Sequence, residues 1–357
     1  MSELESLLHR PRPSAWDLFK RSPCLFAAEK LYARHRLYLK TPPSLSSDAG
    51  AAAAQSCRHL DSGEDGEDEG PISVVCISDT HNNNTRCDPL PASDVLIHAG
   101  DLTQSGSLTE LQAAVDWLRA QPHRHKIVVA GNHDILLDPA RSDEDGNDIS
   151  HRTKGQHRSY LCRREEDEER AKLIDWGDVK YLCDSGTWIT LNGRHGYVRL
   201  KVWGSPRSPR NGNWGFQYAR EDADEVWDRA VPDDVDILVT HGPPRAHLDT
   251  AEGLGCEGLL REVWRVRPRL RLHVFGHVHA GHGHEWVQFD AVQRAYERTV
   301  SARGGVWNLC KMIWAFGTAS LSSCFWSPDV AKCQMVNAAM VGGLRDEVRH
   351  RPIKVYI

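Results

Sequence analysis

The sequence lacks the features of a secreted or duplex-nucleic-acid-binding protein. None of its ten cysteines forms a Cys-x-x-Cys pair, and the first residues, MSELESLLHR, contain no apolar run of the signal-peptide type. We therefore expect reduced thiols, no disulfides and a cytoplasmic protein, with membrane association left open. The formal net charge is −5. Because the basic excess typical of duplex binders is missing, no duplex nucleic acid is expected as a partner.

The chain has 357 residues, 40% of them apolar, which is enough for a sizeable core. Its composition changes along its length. Residues 1–40 are basic and partly amphipathic, whereas residues 41–70 contain DSGEDGEDEG and predict a flexible acidic linker. A folded domain is expected over 71–357, with an apolar insert at about 304–333.

Short apolar runs alternate with helical patterns from residue 72 onward. The runs at 72–79, 94–101 and 126–133 end in polar residues and glycine, and they predict buried strands. Further strands are predicted at 179–184, 187–191, 197–205, 236–242 and 270–277, and helices at 108–121, near 163–174, near 220–230 and at 256–266. The alternation predicts an α/β fold, and the hairpin-like region 187–205 indicates mixed sheets.

Five polar clusters follow predicted strands, at the edge where ligand sites collect in open α/β sheets. They are Asp79-Thr80-His81, Gly100-Asp101, Gly131-Asn132-His133-Asp134, His241-Gly242 and Gly276-His277-Val278-His279. Carboxylates, imidazoles and an amide oxygen suit two divalent cations such as Mn, Fe or Zn. The clusters contain no cysteine, which argues against a structural zinc site. Glycine beside the ligands allows sharp turns of the backbone.

The order and spacing of these clusters, D-x-H, G-D, G-N-H-D, H and G-H-x-H, resemble the calcineurin-like metallophosphoesterase superfamily over about residues 72–290. The strings GDLTQSGS, VAGNHD, THGPP and HVFGHVHAGHG are similar to its metallophosphoesterase-domain-containing subgroup, whose better-known animal members are cyclic-nucleotide phosphodiesterases. The resemblance implies a four-layer α/β/β/α sandwich of two mixed sheets. It also implies that VNAAMVGGLRD near the C-terminus is a closing strand.

The resemblance further implies a role for each of eight residues. The first metal would be held by Asp79, His81 and His279, and the second by Asn132, His241 and His277. Asp101 would bridge both metals, and His133 would lie outside the metal shell. A hydroxide bridging the metals would attack the phosphorus of a phosphodiester. His133 would then assist the departure of the leaving oxygen as general acid or transition-state stabiliser.

One departure from the superfamily bears on the substrate. Its protein Ser/Thr phosphatases carry a downstream Asp-Arg pair after G-D, but here Gly100-Asp101 is followed by Leu-Thr-Gln-Ser. The Arg clamp on phosphate is therefore missing, which favours a small phosphodiester, with cyclic nucleotides as candidates. A protein Ser/Thr phosphatase and a low-activity nucleotide-binding scaffold on the same fold are the alternatives.

Several assignments stay open at this point. Asp134 would either orient His133 or cap the following turn, and His98 would be a buried strand residue or a partner of a ligand. The aromatic residues around the 203–218 turns, Trp203, Trp214, Phe216 and Tyr218, would pack in the core or a lid, or stack on a substrate base. The apolar stretch 306–326 would span a bilayer, lie on a membrane surface, or form a flap within the chain or a dimer contact.

Overall fold

A computed structural model describes most of the chain. The described residues are 14–39, 71–83, 89–138, 172–193, 196–250, 253–302, 304–322, 330–342 and 347–357. The predicted linker at 41–70 and most of the helix predicted near 163–174 lie outside them. The chain divides into two compact units, a smaller one of residues 1–60 with 288–330 and a larger one of residues 61–287 with 331–357.

The strands lie where the apolar runs predicted them, with additions near the C-terminus. In chain order they are β1 (Ser73–Ile77), β2 (Val95–Ala99), β3 (His125–Val129), β4 (Val179–Leu182), β5 (Ser185–Gly193), β6 (Gly196–Ser205), β7 (Ser208–Pro209), β8 (Gln217–Tyr218), β9 (Ile237–Thr240), β10 (Leu272–Phe275), β11 (Gly283–Gln288), β12 (Lys332–Asn337), β13 (Val341–Gly342), β14 (Val348–Arg349) and β15 (Ile353–Tyr356). The predicted closing segment VNAAMVGGLRD supplies the end of β12 and all of β13.

The helices are α1 (Ala15–Arg21), α2 (Pro23–Leu39), α3 (Leu108–Ala120), α4 (Ala223–Trp227), α5 (Glu257–Val266), α6 (Ala291–Ser301) and α7 (Val306–Ser322). The helix predicted near 220–230 is shorter than expected, because a 3₁₀ turn at Arg220–Asp222 precedes α4. A capping box starts α3: the Ser107 hydroxyl accepts from the Glu110 N–H, and the Glu110 carboxylate accepts from the Ser107 N–H.

Both large sheets of the larger unit mix parallel and antiparallel pairs. The first has the order β15-β1-β2-β3-β4, parallel throughout except for the antiparallel edge strand β15. The second has the order β11-β12-β10-β9-β6-β5, in which β12, β10, β9 and β6 run parallel and β5 pairs antiparallel with β6. Small two-stranded sheets pair β7 with β8 and β13 with β14.

A dry apolar layer fills the space between the two large sheets. Alternate residues of β1 to β3, such as Val74, Ile97 and Val129, join inward residues of the second sheet, such as Val202 and Val239. This alternation follows from the two-residue period of a strand. The opposite face of the first sheet packs against α3, and α5 connects the parallel strands β9 and β10 outside the shared core. The result is the expected four-layer α/β/β/α sandwich.

The smaller unit is helical within the residues that the structure describes. Ala28 and Tyr32 of α2 are buried with Met312 of α7, and Tyr296 of α6 stacks on Tyr32 with ring centroids 3.8 Å apart. The Tyr32 hydroxyl also donates to the Gln293 side chain. These contacts join segments separated by more than 250 residues, so the unit forms only when both ends of the chain meet.

No helix in the described part of the chain combines the length and the apolar character needed to span a bilayer.

Candidate metal centre

Parallel strands place the predicted ligands at one edge of each large sheet. Asp79 follows β1, Asp101 follows β2 and Asn132 follows β3, each within three residues of the strand end. His241 directly follows β9, and His277 follows β10 by two residues. Because parallel strands end at the same edge of a sheet, side chains far apart in the sequence are brought together there.

The backbone turns sharply at three of these residues. Asp79, Asp101 and His277 have φ values of 52°, 53° and 65°, in the left-handed region that non-glycine residues rarely adopt. The turns are held by hydrogen bonds: the His277 N–H donates to both Asp79 carboxylate oxygens at 3.1 and 3.0 Å, and the His133 N–H donates to Asp101 Oδ1 at 2.7 Å. Such backbone strain is characteristic of functional sites.

Asp101 lies between imidazoles contributed by the two sheets. Its Oδ2 is 3.8 Å from His81 Nε2 and 3.4 Å from His241 Nε2. The carboxylate is almost fully buried, and within the described residues its ion pairs are with these two histidines. A single oxygen between two ligand nitrogens is the arrangement that a bridging carboxylate requires. The bridging role of Asp101 itself stays a prediction.

Two histidines present their Nε2 atoms to the centre because their other ring nitrogens are occupied. His81 Nδ1 lies 3.2 Å from the Thr103 carbonyl, and His241 Nδ1 lies 3.0 Å from the Ala99 carbonyl. Since a carbonyl only accepts, each Nδ1 carries a proton, and Nε2 is the ring nitrogen left to face the centre. His81 Nε2 is buried with no hydrogen-bond partner. This unpaired buried lone pair fits a cation.

The side chains form three overlapping groups in which the ligand atoms lie within 4.8 Å of one another. The groups are Asp79, His81 and His279; Asp101, His241 and His277; and His81, Asp101 and His133. The first two contain the predicted metal sets, and the Asn132 amide oxygen joins the second at 2.9 Å from His241 Nε2. The third places His133 near the same centre, although the sequence predicts that it does not ligate.

Charges in the centre are balanced between carboxylates and imidazoles. Burial raises the pKa of the Asp79 carboxyl, but the hydrogen bond and charge of His279 outweigh burial and lower it to about 2. Burial also opposes a charge on His241, yet the Asp101 carboxylate beside it raises its pKa to about 9. A cation bound here would replace that proton, so binding would release protons and weaken at low pH.

Glycines next to the ligands leave the space that the Asp79 and Asp101 carboxylates occupy. A Cβ on Gly276 would lie 2.1 Å from Asp79 Oδ2, and one on Gly131 would lie 2.2 Å from Asp101 Oδ1. No side chain fits at these distances. Glycine is therefore needed at these two positions because the carboxylates approach the backbone closely, a reason separate from the sharp turns expected from the sequence.

His133 occupies the outer side of the centre. Its Nδ1 lies 2.8 Å from the Gln104 carbonyl and so carries a proton, which leaves Nε2 as the other polar atom of the ring. Its ring stacks on Trp214, with centroids 4.0 Å apart and planes inclined by 23°.

Trp214 is 39% exposed, whereas Trp203, Phe216 and Tyr218 are buried in packing. Of the four aromatic residues singled out in the sequence, Trp214 is the one that contacts a site residue.

Asp134 takes neither of the roles considered for it from the sequence. Its carboxylate accepts from the Gly131 N–H at 2.8 Å and from the Thr103 N–H and hydroxyl at 3.0 and 2.7 Å. It makes no side-chain cap to the turn at Ile135–Leu137. Asp134 therefore ties the loop after β2 to the loop after β3. No local pattern reveals the link between the loops, because Thr103 lies 31 residues from Asp134.

Two further histidines lie beneath the sheet edges. His98 Nε2 is 3.0 Å from the Thr80 hydroxyl, and His273 Nε2 is 2.8 Å from the Thr240 hydroxyl. Both rings are buried, and burial lowers the pKa of His98 to about 4 and that of His273 to about 3. His98 thus supports the strand end beside Asp79 through Thr80. The sequence analysis did not single out His273.

Residues 72–281 match the calcineurin-like phosphoesterase family. The chain belongs to this family. Membership agrees with the resemblance inferred from the five motifs. The matched residues include all eight predicted site residues.

Relatives of the chain differ in how much they share with it. It is 37% identical over 355 residues to the probable rhamnogalacturonate lyase C of Emericella nidulans, covering 99% of this chain but 29% of that protein. It is 38% identical over 221 residues to the human metallophosphoesterase domain-containing protein 1, covering 60% of this chain and 62% of that protein. A UPF0046 protein of Caenorhabditis elegans is 36% identical over 214 residues, or 59% of this chain and 65% of that protein.

Proposed function

We propose that this protein is a di-metal-dependent phosphodiesterase that hydrolyses small phosphodiesters, with cyclic nucleotides as candidate substrates. The observation that carries the proposal is the position of Asp101 Oδ2 between His81 and His241. Asp79, Asn132, His277 and His279 would complete the two ligand sets. Histidine, carboxylate and amide ligands suit Mn, Fe or Zn. Bound there, the cations would supply Lewis-acid stabilisation of phosphoryl charge and lower the pKa of the attacking water.

His133 would act on the leaving group. With Nδ1 held by the Gln104 carbonyl and one ring face on Trp214, its orientation is fixed before substrate binds. A protonated Nε2 can donate to the oxygen that departs from phosphorus. A positioned general acid of this kind contributes roughly 10²–10⁴-fold to turnover.

The loop after Asp101 supports a diester substrate over a dianionic monoester. Where the phosphatases carry an Asp-Arg pair, this chain has an uncharged run. The Leu102 and Thr103 N–H groups in that run are already bound by Asp134 at 3.2 and 3.0 Å. This loop therefore offers no cationic fork for a doubly charged phosphate, whereas a singly charged diester needs none.

The test compares substrates on the purified protein with Mn²⁺ added. We expect a higher kcat/KM for bis-p-nitrophenyl phosphate and for 2′,3′-cyclic nucleotides than for p-nitrophenyl phosphate. His133→Ala should lower turnover by roughly 10²–10⁴-fold and keep the metal content of the unaltered protein. Loss of metal in this variant would mean that His133 is a ligand.

Two results would favour the alternatives. A preference for phosphopeptides would indicate a protein phosphatase. Nucleotide binding without turnover, in protein shown to contain its metals, would indicate a scaffold. The lyase name of the fungal relative describes a protein of which this chain covers 29%, and we do not extend it to this chain.

A further inference from the structure

Helix α7 of the smaller unit carries an exposed apolar face. Val306, Trp307, Ile313 and Trp314 are 71%, 73%, 52% and 76% exposed. Positions 306 and 313, and likewise 307 and 314, are seven residues apart, so the four side chains lie along one stripe of the helix. Monomeric soluble proteins rarely expose contiguous apolar patches of large side chains, which makes this stripe a candidate contact surface.

The opposite face of α7 is already packed. Met312 is fully buried against Ala28 and Tyr32 of α2, and Ala315 is also buried. The exposed tryptophans are therefore not part of the core of their own unit, because the other face of α7 already supplies the residues that pack there. The helix has two apolar faces, and only one of them is used within the unit.

Basic residues of α1 and α2 are level with both ends of α7 along the helix axis. The start of α7 lies beside Ser22 and Cys24, at the junction of α1 and α2, and Phe316 lies near His35 with ring centroids 6.5 Å apart. Helices α2 and α7 therefore run side by side in the same direction. Along this axis, Lys20 and Arg21 come before the start of α7, and Arg34 is level with its C-terminal half.

The smaller unit is positively charged although the whole chain has a formal charge of −5. Its described residues contain eight Lys and Arg against four Asp and Glu, a net charge of +4. Helix α7 contains no acidic residue, and its Lys311 lies over the Trp307 ring with Nζ 5.6 Å from the centroid. A lysine stem lying along a tryptophan allows the ring to enter an apolar layer while the ammonium group stays at the polar boundary.

We infer that the exposed face of α7, with the basic ends of α1 and α2, binds the surface of an anionic lipid membrane. Tryptophan and aliphatic side chains on one helix face with flanking cations are typical of helices that lie in the membrane interface. Lys and Arg side chains near an anionic lipid surface add electrostatic attraction. A second copy of the chain fits less well, because two surfaces of the same positive charge would then meet. The inference is independent of the proposed reaction.

Sedimentation of the full chain with lipid vesicles tests this inference. We expect binding to vesicles of phosphatidylcholine with phosphatidylserine (about 7:3), little binding to phosphatidylcholine alone, and loss of binding at high salt, because the attraction is screened. Trp307→Ser with Trp314→Ser should weaken binding at least roughly 10-fold, since two large apolar side chains no longer enter the interface. The matched control is Trp188→Ser with Trp286→Ser, which removes two tryptophans of 39% and 38% exposure from the larger unit and should bind as the unaltered chain does.

A charge-reversal variant keeps the test decisive if the serine variant does not fold. Lys20→Glu with Lys311→Glu leaves every tryptophan in place and should abolish the preference for phosphatidylserine. The inference is overturned if the unaltered chain ignores both kinds of vesicle, or if neither variant changes binding. It is also overturned if the chain is a dimer that the serine variant converts to a monomer without any effect on lipid, since the face would then be an interface between copies.

Discussion

Asp101 contacts ligand candidates from both sheets, namely His81 and His241. It is buried, its pKa is held well below the usual range by His241 despite burial, and its Oδ2 lies within 4 Å of two imidazoles. A neutral amide at this position would keep the shape of the side chain but remove the negative charge that two bound cations would share.

We therefore expect Asp101→Asn to bind fewer than two metal ions per chain and to lose nearly all activity. Metal content is measured by elemental analysis after gel filtration, beside Asp116→Asn as an exposed control. Two retained metals together with full turnover would show that the carboxylate does not bridge.

Trp214 stacks on His133, so under the proposed function a change at Trp214 should affect turnover rather than metal binding. Trp214→Ala should lower kcat roughly 10-fold, because a loosely held general acid spends less time aligned with the leaving oxygen. Trp214→Phe keeps a flat ring and should restore most of the rate. Metal content should be the same in all three proteins. If KM rises while kcat is unchanged, Trp214 contacts substrate and does not position His133.

At the scale of elements, the site depends on how each strand ends. Gly276→Ala would place a methyl group against Asp79 Oδ2 and the Ser78 hydroxyl, both at 2.1 Å. We expect this variant to lose metal from the site that Asp79 serves and to have a lower Tm. Gly242→Ala is the matched control, because Gly242 also adjoins a predicted ligand but its Cβ would meet nothing nearer than 3.4 Å. Equal metal content in the two variants would contradict the argument.

The strands that form the core were predictable, and two edge strands were not. The central strands other than β12 are apolar runs that end in polar residues or glycine, which is a local signal, whereas the resemblance to the family predicted β12. The edge strands β11 and β15 expose alternate residues, and their runs are short and mixed: GHEWVQ and IKVY. Their pairing comes from neighbours distant in the sequence, as when Val74 of β1 pairs with Val355.

At the scale of the whole molecule, buried histidines couple stability to pH. His98 and His273 have pKa values of about 4 and about 3, below the ordinary value of 6.5, because burial disfavours the charged ring. Below pH 6.5 the unfolded chain takes up protons that the folded chain cannot bind. The stability that these groups provide is therefore complete above pH 6.5 and is lost as the pH falls toward 4 and then 3.

His273→Gln removes one of these groups without altering a predicted ligand. The free energy of unfolding should then fall less steeply with acid, by roughly 1.4 kcal/mol per pH unit for one proton between pH 6 and 4. Denaturant unfolding in chelator, on the variant and the unaltered chain, measures the slope without a contribution from metal release. Identical slopes would mean that His273 is protonated in the folded state.

The sequence by itself determined which residues can carry the chemistry and the fold that supports them. The predicted ligands stand in strand-end motifs whose order is specific to the family: Asp79, Asp101, Asn132 and the histidines. These motifs are visible in the sequence because a strand and the turn that follows it are encoded by neighbouring residues. The basic character of 1–40 and the apolar character of 304–333 are likewise composition, visible without a structure.

Only the tertiary structure decided how these pieces meet. It placed Asp101 between His81 and His241, which are 160 residues apart, fixed which imidazole nitrogen faces the centre, and put Trp214 on His133. It gave Asp134 partners that no local pattern predicts, and it packed α2 against α7 from opposite ends of the chain. Contacts of this kind depend on the pairing of sheets and helices across long loops, so their geometry is set by the packed core and not by neighbouring residues in the sequence.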